Sequence, residues 1–325
     1  NLDAITDLTA NGWSTNNHDI FMRTRPNIIY NKRVHPMRNY GIAGFVWYQG
    51  EANASNILNV AQYGFSLPAF VTEYRERFGQ GDLPFLGVQL PSYKQSQWPW
   101  FRESQNQLET LNNGHVAVTI DTGLSGNIHP PDKEPIGIRL SLLARKYALG
   151  EAIEAHGPRF SSMAIAGSQA TVSFTNADGL TTDDALAPAT FELAGSDQVF
   201  RAATSATISG TDVILSATSV ASPVAVRYAW SPAPVNQVNL VNSAGLPATP
   251  FRTDSWPLPG LGARAPESID DSYETPRDQS LIIPAVGVLA NDIDLNRDAL
   301  TTCLLYTSPS PRDNIANLVC RLLLE

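Results

Sequence analysis

The apolar positions of the first 150 residues fall into short runs that end in polar or turn residues: Gly44–Trp47, Pro84–Leu90 and His115–Asp121. A strand buried on both faces reads as a continuous apolar run rather than an alternation, so these predict strands of a parallel sheet. Between the first two runs, Leu58, Ala61, Phe65, Tyr74 and Phe78 recur near helical spacing. They predict a helix over 58–78, kinked or split at Pro68 because proline removes a helical donor. After the third run, Ile136, Leu140, Leu143, Ala144 and Tyr147 make an amphipathic stripe over 132–149, with Asp132 placed to cap it and Gly150 to stop it. Strand and helix in alternation predict an α/β domain over 1–150, a parallel sheet covered by helices.

The pattern changes further on. Ala164–Ala166, Ala170–Phe174, Ala206–Ile208, Val213–Leu215 and Val224–Tyr228 are short and rich in β-branched residues, with Gly, Asn, Asp and Ser between them. They predict a small antiparallel β-rich module within 151–257, its last part, 236–257, loop-like. Residues 258–268 are rich in Pro, Gly and Ala and predict a linker. A third style, acidic around a β-like core at 281–289, occupies 269–302. No internal repeat is evident.

Composition narrows the classes. The chain has 325 residues, 43% hydrophobic and 16% charged, which suits a globular protein with a sizeable core. A net charge of −9 argues against nucleic acid or an anionic membrane as partner. No stretch reaches the ~20 apolar residues of a membrane span. Asn1–Leu2–Asp3 has neither the basic nor the apolar part of a signal peptide, and a first residue other than Met reads as a fragment. The two cysteines, Cys303 and Cys320, leave the first 302 residues without a disulfide framework, a cysteine nucleophile or a thiolate metal site.

Three stretches carry candidate chemistry. Ile42–Trp47 ends abruptly in Tyr48–Gln49–Gly50–Glu51–Ala52–Asn53. Open α/β sheets build their sites at such carboxyl ends, where glycine admits a close backbone and amide donors hold an oxyanion. The same residues also suit a strand-to-helix turn with Asn53 as cap. His129, in Gly126–Asn127–Ile128–His129–Pro130–Pro131, is either a general base or a loop histidine bonded to backbone. The acidic run Asn291–Asp292–Ile293–Asp294 offers hard oxygen ligands for Ca²⁺, through Asp292 and Asp294, or is a solvated loop; its spacing is not that of an EF-hand.

Seven ordered blocks between about residues 27 and 257 resemble a bacterial sialate O-acetylesterase of the SGNH (GDSL-like) hydrolase superfamily. They are Ile29–Asn31 with His35–Pro36, Gly44–Ala54, Phe78–Phe85 with Val88–Leu90, Trp100–Gln105, Ile128–Pro130 with Lys133, Pro223–Trp230, and Gly245–Ala248 through Trp256–Pro257. The resemblance implies an SGNH-hydrolase-like sheet with flanking helices and a serine esterase that removes acetyl groups from sugars, without metal or organic cofactor. His129 would be the base. Gln49, Gly50, Glu51, Asn53 and Asn127 would line the site, some as oxyanion or substrate donors. Two departures stand out. The family's serine lies in a Gly-Gln-Ser-Asn segment that is absent here; Ser14, in Trp13–Ser14–Thr15–Asn16, matches it poorly, so the chain is expected to start downstream of the nucleophile and to be inactive alone. The family's Asp two residues before the His is Asn127 here, and Asp121 is the nearest carboxylate to replace it, a Ser–His dyad being the other option. Acetylated glycans are the implied partners, sialate 9-O-acetyl esters first, outside the cytoplasm or at the cell surface. An acetylxylan esterase or a non-catalytic glycan-binding module are the alternatives. Residues 269–302 resemble the start of a bacterial cadherin-like or Ig-like repeat, with Ca²⁺ the implied ligand. Residues 303–325 read as translated adapter or assembly read-through and are set aside.

Overall fold

The computed structural model describes residues 28–273, 287–289, 291–296 and 298–301. Ser14, both cysteines, residues 281–286 and the tail 303–325 lie outside them.

The three apolar runs of the first half form one parallel sheet. Strands β1 (Phe45–Trp47), β2 (Phe85–Val88) and β3 (Gly114–Ala117) pair in that order, with Phe45 opposite Phe85 and Phe85 opposite Gly114. Successive side chains point to opposite faces, and the cores follow from that. Phe85 and Val116 join helices α1 (Ile57–Phe78) and α2 (Trp98–Gln105) on one face, in a cluster with Val60, Leu67, Val71, Trp98 and Phe101. Leu86 and Ala117 pack with Leu143 of α3 (Glu134–Tyr147) on the other.

The expected break at Pro68 does not occur: α1 runs 22 residues as one helix, with Pro68 inside. Tyr63 and Leu67 before the proline and Val71 after it are all buried against the sheet. Burial of that order, ~2 kcal/mol per large side chain, outweighs the ~3 kcal/mol helix cost of proline. The Asn56 side chain caps α1 by accepting from the Asn59 N–H, and Gly79, at φ 64°, ends it in the left-handed region. Helix α3 begins two residues later than expected, and the Asp132 carboxylate accepts the Glu134 N–H at 3.1 Å.

Residues 159–252 form two four-stranded antiparallel sheets and a two-stranded one. The first has the order β4 (Arg159–Ala166), β5 (Gln169–Thr175), β10 (Asp212–Ser216), β9 (Ser205–Ser209). The second runs β13 (Phe251–Arg252), β11 (Ala225–Tyr228), β7 (Phe191–Ala194), β8 (Phe200–Ala202). Strands β6 (Thr181–Thr182) and β12 (Leu240–Val241) pair separately. β12 and β13 fall where the sequence reads as loop, because two residues are too few to show a period. Alternate residues Val172, Phe174, Val213 and Leu215 of one sheet meet Leu193, Val226 and Tyr228 of the other in a shared core. Val118 and Ile120, just past β3, belong to that core as well, so the parallel sheet feeds directly into it.

Polar anchors tie the two parts together. Arg102 of α2 is 1% exposed, and its guanidinium donates to four carbonyls, those of Leu90, Pro91, Ser231 and Pro232. Burial lowers its pKa to about 9, which leaves it charged at neutral pH. Glu103 pairs with Arg252 at 2.7 Å, and Glu109 pairs with Arg159. Residues 258–268 do not run free of the core: Leu258 and Leu261 are buried in the cluster under α1 and α2. Ile293 bridges to Glu267, and Leu295 packs on the same cluster.

Candidate active site

The chain leaves β1, β2 and β3 in the same direction, so Tyr48–Asn53, Gln89–Ser92 and Val118–His129 all gather at one edge of the sheet. That edge, outside the carboxyl ends of parallel strands, is where open α/β folds place their ligands.

The turn after β1 is held from below. Gln105 of α2 donates its side-chain amide to the carbonyls of Gln49 (3.3 Å) and Val88 (3.0 Å), and its oxygen accepts the Leu90 N–H at 2.8 Å. It thereby joins the ends of β1 and β2. Gly50 is buried on the Phe101 ring, at φ 142°; a Cβ there would lie 2.2 Å from Phe101 Cε1. Only glycine fits this approach. Gly50→Ala is therefore expected to destabilise the fold by ~2–4 kcal/mol through overpacking and backbone strain. Urea unfolding checks this; a loss below ~0.5 kcal/mol would remove the account.

The side chains of this turn form a directed chain. Trp47 Nε1–H donates to the Tyr63 hydroxyl (3.2 Å), that hydroxyl donates to Gln49 Oε1 (3.2 Å), and Gln49 Nε2 donates to Asn53 Oδ1 (2.7 Å). Among the described residues, Asn53 Nδ2 and the second hydrogen of Gln49 Nε2 have no acceptor and remain as donors. Burial raises the pKa of Tyr63, with Glu51 adding to the rise and the Trp47 bond opposing it, so the phenol stays protonated. Glu51 itself lies half-buried in the turn between the two amides.

His129 stands on the loop between β3 and α3. Ile128 packs against the α1–α2 cluster, as Trp47 and Tyr48 also do. The Ser125 carbonyl accepts the Lys94 N–H, and Lys133 Nζ donates to the Tyr48 hydroxyl at 3.0 Å. These contacts hold the histidine's loop against the end of β1. His129 is exposed, and among the described residues no side chain bonds its imidazole. Asn127 Oδ1 accepts the backbone N–H of His129 at 2.9 Å, so it shapes the loop rather than the ring. Asp121, read from the sequence as a substitute for the missing acid, has both carboxylate oxygens on Arg139 at 2.6 Å each. The structure thus brings Gln49, Gly50, Glu51 and Asn53 together and fixes the His129 loop beside them, while Asp121 faces α3. Asp292 and Asp294 lie elsewhere; each accepts a backbone N–H, from Ile269 and Asn296 respectively. Among the described residues no three His, Cys, Asp or Glu side chains are grouped to hold a metal.

The sequence carries no sign of Tyr63's place in the site and assigns no separate role to Trp47 or Gln105. Tyr63 sits on the buried stripe of α1 with Val60 and Leu67, where it is indistinguishable from a core aromatic. Gln105 was legible only as part of the Trp100–Gln105 block.

An α/β sheet whose carboxyl edge carries amide donors and a histidine loop has the layout of a hydrolase. Comparisons with known proteins narrow that class. Residues 9–133 match the family model of carbohydrate esterases described as sialic acid-specific acetylesterase. The sialate O-acetylesterase of Mus musculus is 37% identical over 151 residues, covering 39% of this chain and 27% of that protein. That of Homo sapiens is 33% identical over 150 residues, covering 39% and 28%. The crystal structure of a carbohydrate acetylesterase from Xanthomonas citri superposes with a TM-score of 0.67 at 38% identity, over 70% of this chain and 54% of that one. The chain thus spans little more than a quarter of the mammalian proteins it matches. Over the matched residues the chain is similar to carbohydrate esterases described as sialate O-acetylesterases. Among the described residues no helix is long and apolar enough to cross a membrane.

Proposed function

We propose that this chain is the histidine-bearing part of a serine O-acetylesterase acting on acetylated sugars, with O-acetylated sialic acid as first substrate. The observation that carries the reading is the pairing, at one sheet edge, of oriented amide donors on Gln49 and Asn53 with the tethered His129 loop. In this mechanism His129 removes the proton of a serine hydroxyl, whose oxygen attacks the acetyl carbonyl. The negative oxygen that forms is held by the N–H donors of Gln49 and Asn53. The sugar alcohol then leaves with the proton from His129, and water releases acetate by the same steps in reverse order. The nucleophile in this reading belongs to a Gly-Gln-Ser-Asn segment, which these 325 residues do not contain.

Lys133 favours an acidic sugar over xylan. Its ammonium bonds the Tyr48 hydroxyl and pairs with no carboxylate among the described residues, and the chain as a whole is acidic. A cation at this edge suits the sialic acid carboxylate. The test measures acetate release by residues 1–325 joined to the serine-bearing segment, and by residues 1–325 alone. The joined protein is expected to release acetate from O-acetylated sialic acid at least tenfold faster than from acetylated xylan, and the 325 residues alone to release none. No release by the joined protein from any acetylated sugar would sink the reading.

A further inference from the structure

We infer that Tyr63 is a positioning residue that sets which way the Gln49 and Asn53 amides face, presenting N–H groups rather than carbonyl oxygens to the developing oxyanion. The inference rests on the esterase reading for its catalytic meaning, but the orientation is carried by the geometry alone.

The logic starts from a group with no choice. An indole nitrogen is only a donor. Trp47 Nε1 lies 3.2 Å from the Tyr63 oxygen, so that oxygen accepts. Tyr63 has a single hydroxyl hydrogen, which is then free for its other neighbour, Gln49 Oε1 at 3.2 Å. A hydrogen arriving there identifies that atom as oxygen and fixes the amide of Gln49, whose two ends otherwise differ little in shape. Its nitrogen must then face Asn53, where it donates at 2.7 Å to Oδ1. Asn53 is fixed in turn, with its own nitrogen on the far side. With Trp47 donating, this is the arrangement in which the Tyr63 hydroxyl hydrogen also finds an acceptor. Half-buried surroundings strengthen such a chain, since each bond polarises the next.

Without the Tyr63 hydroxyl, nothing holds Gln49 Oε1 in place. The amide can turn over and bring a carbonyl oxygen to the oxyanion, where it repels. Ground-state binding of a neutral acetyl group is little affected, because the charge exists only in the transition state. A positioning role of this kind lowers kcat and leaves KM nearly unchanged, whereas loss of packing would move stability and KM together.

Tyr63→Phe keeps the ring on Phe101, 4.5 Å between centroids, and removes only the hydroxyl. In the serine-bearing protein it is expected to lower kcat for an acetyl ester ~10- to 100-fold with KM within about twofold. Combined with Asn53→Ala it should add little further loss, because both act on the same donors. In the 325-residue chain, the Gln49 side-chain amide hydrogen bonded to Asn53 Oδ1 should lose exchange protection in Tyr63→Phe. Unchanged kcat, or losses in the two variants that simply multiply, would overturn the catalytic role. Unchanged amide protection would overturn the orientation itself. If the parent protein releases no acetate, the esterase reading fails, and the amide measurement still decides whether Tyr63 sets the orientation.

Discussion

His129→Ala is expected to remove acetyl ester hydrolysis from the serine-bearing protein, by ~10²–10⁴-fold or more in kcat, the usual contribution of a general base. The loop that carries the histidine is fixed at Ile128, at Ser125 and, through Lys133, at Tyr48, and the exposed ring itself makes no bond among the described residues that packing depends on. The fold should therefore survive, and the loss should appear with an unchanged circular dichroism spectrum and melting temperature. Near-parental kcat in a folded variant would eliminate His129 as the base. Asp121→Asn reports on the third member. Arg139 engages both Asp121 oxygens, so this variant is expected to lower stability while leaving most of kcat, as a Ser–His dyad would. A fall in kcat as large as that of His129→Ala would instead restore Asp121 to the role of orienting acid.

Asp121 also illustrates where the sequence stopped informing. Its place at the end of an apolar run was legible, and so was a histidine eight positions on. The competing partner was not. Arg139 lies on the same stripe of α3 as Ile136 and Leu143, so it faces the sheet and reaches back to the Val118 carbonyl and the Asp121 carboxylate. A cation on a buried stripe carries no sign in the sequence of which strand end it will meet. The strands β1 to β3 and the helices α1 and α3 were legible because long or continuous apolar patterns encode them. Strands β12 and β13 were not, since two residues carry no period. Pro68 was read by its local cost, and tertiary burial of Tyr63, Leu67 and Val71 reversed the outcome. The order of the site segments was visible; the direction of each hydrogen bond in it required the folded chain.

At the opposite end of the sheet from these segments, a second polar cluster is expected to make the fold acid-labile. His115, on β3, stacks on Tyr147 of α3, 3.4 Å between ring centroids. The Tyr147 hydroxyl lies 2.8 Å from His156 Nε2, and Arg159 Nη2 lies 2.9 Å from His156 Nδ1. Arginine only donates, so Nδ1 accepts and His156 is the neutral tautomer with its hydrogen on Nε2, donating to Tyr147. The surrounding charges are Arg159 paired with Glu109, Lys146 paired with Glu154 at 3.7 Å, and Arg75. Burial, and then Arg159, lower the pKa of His156 to about 3 and that of His115 to about 4. In the unfolded chain both return to about 6.5. The unfolded state therefore binds more protons once the pH falls below 6.5, and stability must fall with it. Above pH 6.5 both states are neutral and the effect vanishes. Between pH 6.5 and about 5 the native histidines stay neutral, so each costs up to ~1.4 kcal/mol per pH unit there, less for the partly exposed His115. The pair gives a loss of a few kcal/mol, His115 contributing the smaller share because it is partly exposed, and that is a large part of a typical domain's stability. Urea midpoints measured across that window should drop steeply for the parent chain. His156→Gln is expected to flatten the slope by about half while lowering stability at pH 7.5, where the histidine's bonds to Tyr147 and Arg159 are intact. A parent slope no steeper than that of the variant would mean that acid acts on the fold elsewhere.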